Sequence, residues 1–306
     1  MFRSARTKIA KALGPHRPIQ SDQERARQSS FPFLSGDTFR SMAGEVWDKE
    51  GVFRTRSFGQ GIFFVDSRTS IQPGWVDEFR SYIAKLPDIG GTTLIIHNDD
   101  HVPDQNELEI IATRVSRVFC VNIPDGIDGV TPIPLGLENV WYNKSGRLRY
   151  YLDRPVREID GDDHDRLVLS SFSIGTNPHK REPVARLMES SRHGHQGMVW
   201  KSGEFREVIA RSLFVISPPG NGADAHRTWE SIYLGAVPVV ERTSLAASLV
   251  GNLPILAVDR YEDFLDLTDD ELIATYQLLR QRPVERAYAP YWVHQIMEVA
   301  SGVAPK

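Results

Sequence analysis

Residues 213–241 read LFVISPPGNGADAHRTWESIYLGAVPVVE, and the fold follows from this stretch. Leu213 to Ile216 is a short apolar run rich in β-branched and aromatic residues, and Val237 to Val240 is a second; both have strand character. Pro218, Pro219, Gly220, Asn221 and Gly222 allow neither helix nor sheet to continue and let the backbone turn tightly beside a ligand. The spacing therefore predicts strand, loop, helix, strand, with Asp224 expected to cap the helix. Its first-turn N–H groups then face the loop, a seat for phosphate. His226 and Arg227 fall in that first turn, where the helix dipole disfavours cations unless an anion lies between. Glu230 follows on the same face, spaced to accept ribose hydroxyls while Arg227 neutralises phosphate.

Two other readings use the same letters. Charged residues in a first helical turn are ordinarily solvated, and Gly/Pro loops are ordinarily only loops. Gly220, Gly222 and Ala225 also satisfy G-x-G-x-x-A after a strand, with Glu241 ending the next strand. That is the arrangement of a nicotinamide dinucleotide site in an NAD(P)-dependent oxidoreductase. Against it, the double proline stiffens the turn, and His226 and Arg227 crowd the place where pyrophosphate meets backbone alone.

The chain has 306 residues, more than one core usually organises, so two α/β domains are expected. A formal net charge of −4 offers no basic field for nucleic acid. The single cysteine, Cys120, lies in the apolar run Val118 to Val121 and reads as a buried small residue in a reducing, cytoplasmic compartment. No apolar run approaches the length of a membrane span, and the start has no apolar signal core.

Residues 1–30 form a basic tail, in which MFRSARTKIAKAL has a thin apolar stripe. The alternatives are a mobile tail and peripheral contact with an acidic membrane surface. Residues 31–160 alternate strands (Gly61–Asp66, Thr92–His97, Val118–Asn122) with helices (Trp75–Leu86, Glu107–Ser116), the pattern of a mainly parallel sheet covered on both faces. Asp66, His97, Asn98, Asp99, Asp100 and His101 follow strand ends, where functional residues of such sheets collect. Asp160 to Asp165, DGDDHD, precedes a strand rather than following one and reads as a hydrated linker.

Residues 161–280 carry the second α/β region, opening with the strand Arg166–Ser170. In the loop SFSIGTNPHKREP, Asn177 is the expected cap of a helix with Pro178 at its first position. His179, Lys180 and Arg181 again put positive charge at a helix start, which suggests one diphosphate between two such starts. His193 to His195, HGH, reads as a surface turn. Leu253 to Val258 is a further strand, and residues 281–306 form a helical close ending around Tyr288 to Val299.

The order of SFSIGTN, the PPGNG loop, HRTWE and LGAVPVV between about Ser170 and Asp259 resembles the donor-side signature of exostosin-type glycosyltransferases. It is similar above all to the C-terminal domain of ribitol xylosyltransferase-like proteins. The resemblance implies a GT-B fold, with two Rossmann-like doubly wound domains facing across a cleft, and transfer of a hexosyl or pentosyl group. It implies a UDP-linked sugar as donor substrate, no other cofactor, and a glycan or polysaccharide hydroxyl as acceptor. It further implies that Ser171, Gly220, Asn221, Gly222, His226, Arg227 and Glu230 line the donor site, with Arg181 on the diphosphate. Many retaining enzymes of this fold carry a glutamate eight residues before the ribose-binding one. Gly222 stands there in this chain, which favours inversion. An inverting, metal-independent transfer needs a base, for which Asp99, Asp100 and Asp66 are the candidates; each is equally readable as an ordinary loop carboxylate. Trp141, Trp200 and Trp229 are candidates to stack on sugar rings, although such residues more often belong to a core.

Overall fold

A computed structural model describes residues 27–48, 51–54, 61–66, 91–100, 104–142, 146–152, 166–197 and 202–302. The predicted basic tail up to residue 26, the helix Trp75–Leu86, His101, the acidic linker and Trp200 lie outside the described residues. Among the described residues no helix is long and apolar enough to cross a membrane.

The described residues form an α/β protein with two sheets. The first has six strands: β1 (Glu45–Asp48), β2 (Gly51–Arg54), β3 (Ile62–Asp66), β4 (Thr93–His97), β5 (Arg117–Cys120) and β6 (Val130–Pro132). Their order is β2-β1-β3-β4-β5-β6, parallel throughout except for the antiparallel edge strand β2. The second comprises β7 (Arg166–Leu169), β8 (Ser212–Ile216), β9 (Val237–Glu241) and β10 (Leu256–Val258), all parallel, in the order β10-β9-β8-β7.

In both sheets the described parallel strands therefore succeed one another in chain order. A doubly wound sheet instead reverses its strand order partway and binds its ligand at that reversal. Among the described parallel strands there is no such reversal; in the first sheet the order turns back only at β1, between the antiparallel edge strand β2 and β3.

Alternation along the strands explains why both faces are covered. In β3, Phe63 and Val65 point into a core with Leu108 and Ile111 of the helix α1 (Gln105–Ala112), while Ile62 and Phe64 point to the opposite face. That opposite face is covered by Phe39 and by Trp292 and Ile296 of the last helix, Ala289–Ala300. Phe39 and Trp292 meet edge-on with centroids 6.4 Å apart. In the second sheet, Phe214 and Ile216 of β8 face Val184 and Met188 of α2 (Pro178–Ser190), whereas Val215 faces Phe205 and Ile209 of α3 (Ser202–Ala210). Asn177 caps α2 through Lys180 N and Pro178 starts it, as the sequence predicts.

The helix α4 (His226–Leu234) links β8 to β9 and ends at Gly235, whose φ of 94° lies in the left-handed region open to glycine. Trp229 of α4 is fully buried and joins the core containing Phe33, Tyr151 and Tyr233. It is thus a core residue and no sugar platform. The last helix belongs to the same core, and the Ala289 amide donates to the Pro32 carbonyl at 2.9 Å. One apolar mass therefore includes residues before, within and after both sheets.

Candidate functional site

The loop after β8 is held from below by α2. Arg181, 6% exposed, donates from Nε to the Pro219 carbonyl (2.8 Å), from Nη1 to Ser173 (2.9 Å) and from Nη2 to Pro218 (3.4 Å). Asn177 adds a bond from Nδ2 to the Gly220 carbonyl at 2.6 Å. Pro218 and Pro219 have no amide to donate, and the guanidinium fork of Arg181 partners the carbonyls of both while tying them to Ser173. Arg181 is therefore first of all the clamp of this loop; burial lowers its pKa.

From above, the same loop meets the ends of the first sheet. Asn221 Nδ2 reaches Asp100 Oδ2 at 3.1 Å, and the Asp224 amide donates to Asn122 Oδ1 at 2.8 Å. A Cβ on Gly222 would come within 2.7 Å of Asn122 Nδ2 and 3.0 Å of the Asp100 carbonyl. Glycine at 222 is thus explained by close approach of the two halves. His226 Nδ1 lies 2.8 Å from the Gly136 carbonyl, so it carries the proton there, which leaves Nε2 as the acceptor in the neutral ring.

Asp224 does not cap α4. The N-cap is Ala225, with no side-chain cap bond. The Asp224 carboxylate turns inward and accepts from the Leu135 amide (2.9 Å), Trp229 Nε1 (2.8 Å) and the Ala225 amide (2.6 Å). Burial is the main cause of its rise to a pKa of about 6, which these bonds hold back. Asp224→Asn would turn an NH2 group on at least one of these donors, costing about 1–3 kcal/mol for each N–H left unsatisfied. Urea denaturation at neutral pH measures it; an unchanged midpoint would remove Asp224 as the staple between Leu135 and α4.

Between the halves these contacts leave a cleft of about 550 Å³, within the usual range for small-ligand sites. Its wall on the second-sheet side carries Arg181, Arg206, Arg227 and Glu230; on the first-sheet side Asp100 and Glu138 face them. Each arginine lies over an aromatic ring: Arg181 over Phe172 (5.8 Å), Arg206 over Tyr150 (5.3 Å) and Arg227 over Phe205 (5.4 Å). Arg206 Nη2 pairs with Glu230 Oε1 at 2.7 Å, and the Tyr151 hydroxyl lies 3.4 Å from both Glu230 Oε1 and Arg206 Nε. Burial pulls Arg206 down, yet Glu230 and Tyr151 outweigh it and its pKa is raised. Arg227 is lowered to about 10 by burial and by repulsion from Arg181 and Arg206, with Glu230 pulling the other way. It remains charged at neutral pH.

Of the residues singled out in the sequence, the structure brings Arg181, Gly220, Asn221, Gly222, His226, Arg227, Glu230 and Asp100 to this cleft. Ser171 is elsewhere: fully buried, its hydroxyl donates to the Gly197 carbonyl, and Ser173 lines the cleft instead. Asp66 lines neither this cleft nor the cavity beside it; its Oδ2 accepts from Arg27 Nη2 (3.2 Å) and Asn98 Nδ2 (3.1 Å). Asp99 is buried and lines the neighbouring cavity with His97. His97 is pushed down to about 4, chiefly by burial, so it is neutral; Nδ1 accepts from the Asn98 amide at 2.7 Å and Nε2 lies 3.1 Å from the Pro134 carbonyl. Lys180 points away to Glu241 at 3.2 Å, and Glu241 lines neither space.

Arg206 and Glu138 were missed. The signal for Arg206 was an arginine beside Phe205 and three residues before Ile209, on the apolar face of α3. Glu138 gave none beyond its place after the strand β6.

No family model matches the chain, and no curated protein matches it. Among solved structures it is similar to an alpha-glucosyltransferase in complex with UDP-glucose and DNA containing an abasic site. The identity is 9%, the match covers 79% of this chain and 74% of that one, and the TM-score is 0.27.

Proposed function

We propose that the chain is a glycosyltransferase that moves a sugar from a nucleoside diphosphate, with UDP as the first candidate, to the hydroxyl of a glycan or polysaccharide acceptor. One observation carries this reading: Arg181, Arg206 and Arg227 line one wall of a cleft at a helix start that no side chain caps, opposite the carboxylates of Asp100 and Glu138. A departing diphosphate builds negative charge, and fixed guanidinium groups with oriented amides stabilise it without reorganising. Arg227 takes the largest share, because a dianion relieves the repulsion it suffers from its two neighbours. Arg181 contributes through the loop it clamps, and Glu230 meets the ribose through the oxygen that Arg206 does not hold.

On the opposite wall Asp100 is the foremost base candidate, since Asp66 is tied to Arg27 and Asn98. Inversion belongs to this proposal, supported by Gly222 at the position where many retaining enzymes of this fold carry glutamate, and so does independence from metal, supported by the fixed arginine charges of the cleft. So do a two-domain GT-B division near residue 160, exostosin-type kinship, supported by the motif order between Ser170 and Asp259, and membrane contact through the basic tail.

Ligand binding raises apparent stability, so a thermal-shift panel tests the reading. UDP, other nucleoside diphosphates and their sugars are expected to raise the melting temperature, with or without EDTA, and NAD(P) is not. A response to NAD(P) alone would favour the oxidoreductase reading, and donor binding with neither transfer nor hydrolysis would mark a non-catalytic module.

A further inference from the structure

A smaller cavity of about 290 Å³ adjoins the cleft. The two share Asp100, Leu135, Glu138 and His226, so whatever fills one abuts what fills the other. Their chemistry differs. Asp99, Asp100 and Glu138 bring carboxylates to the smaller space and Asn98 and Asn139 bring amides, while no lysine or arginine is among the described residues lining it. Tyr142 also lines it and is 45% exposed, a rare state among the large apolar side chains described. A flat ring with one polar end suits the C–H face of a sugar, and amides and carboxylates suit its hydroxyls.

We infer that this cavity receives the acceptor, and that the acceptor is a sugar ring without an acidic substituent, seated on Tyr142. The inference rests on the transferase reading and narrows it. A uronate or phosphate placed here lies among three carboxylates of like charge, a repulsion that at a partly buried site reduces binding about tenfold or more. A neutral sugar meets the same groups as hydrogen-bond acceptors.

The test uses the full chain saturated with UDP and a panel of methyl glycosides, each neutral hexose or pentose matched with its uronic acid, followed by saturation-transfer NMR titration. At least one neutral glycoside is expected to bind, about tenfold or more tighter than its acid partner at neutral pH. Tyr142→Ala should weaken that glycoside at least about fivefold while UDP affinity, measured calorimetrically, stays within about twofold, since the exposed ring lines only the smaller cavity. Equal or tighter binding of the acid overturns the inference, as does a neutral glycoside indifferent to Tyr142→Ala, or no neutral glycoside bound at all. In those three outcomes UDP still binds and the donor reading stands. Failure of UDP itself to bind overturns both.

Discussion

Arg206→Ala is expected to lower the stability of the folded chain by roughly 3–5 kcal/mol, the usual cost of removing one partner from a buried ion pair. Arg206 and Glu230 are 4% exposed each and 2.7 Å apart, so neither side chain has water in reserve. Deleting the guanidinium leaves the buried Glu230 carboxylate at the cleft wall without its charged partner, deprives the Tyr151 hydroxyl of a partner and uncovers the Tyr150 ring. Pairing Arg206→Met with Glu230→Gln removes both charges and should restore much of the loss, because breaking a buried pair costs more than replacing it. The difference between single and double variants in urea denaturation is the readout. A single-variant loss below about 1 kcal/mol would mean that the pair is effectively solvated.

Arg227→Ala is expected to behave in the opposite way. Arg227 sits in the same cleft, but burial and two neighbouring arginines disfavour its charge, lowering its pKa to about 10. Its removal therefore takes away a cation that the empty fold holds at some expense, and stability should change by less than about 1 kcal/mol. Nucleotide binding should suffer instead. A charge-assisted contact to phosphate contributes about 1.5–3 kcal/mol, so affinity for a nucleoside diphosphate should fall roughly tenfold to 150-fold. Because Arg227 stays protonated up to about pH 10, its own charge is the same at pH 6.5 and pH 8.5, and any difference in the loss between the two comes from other groups such as the terminal phosphate, whose second pKa is about 6. Two arginines of one cleft are thus separable by experiment, one held for the fold and one for the ligand.

Local chemistry was legible where the decisive neighbours lie close in sequence. The strand, loop, helix, strand unit at 213–241 is visible from periodicity and from the prolines and glycines that interrupt it. The start of α2 is equally plain, since Asn177 and Pro178 act within four residues. The strand ends that carry Asp66, Asp99 and Asp100 were found for the same reason.

What each group does at its position was not legible, because that depends on partners far along the chain. Asp224 looked like a helix cap until the fold placed the Leu135 amide and Trp229 beside it. Glu230 is held by Arg206 and Tyr151, 24 and 79 residues away. Asp66 is occupied by Arg27, 39 residues distant, and Ser171 by Gly197, 26 distant. The hairpin β1–β2 was overlooked because two four-residue strands offer too short a pattern to read. The sequential strand order was also hidden, since alternating elements give the same periodicity whichever edge each new strand joins.

Calorimetric titration of UDP into the full chain and into Arg227→Ala, with urea denaturation of the same two proteins, tests the anion-binding role of the cleft most directly. The account predicts measurable binding to the unaltered protein, a roughly tenfold or greater loss in the variant, and nearly equal stabilities. Equal affinity for UDP in two equally folded proteins, or no UDP binding to either, would contradict it.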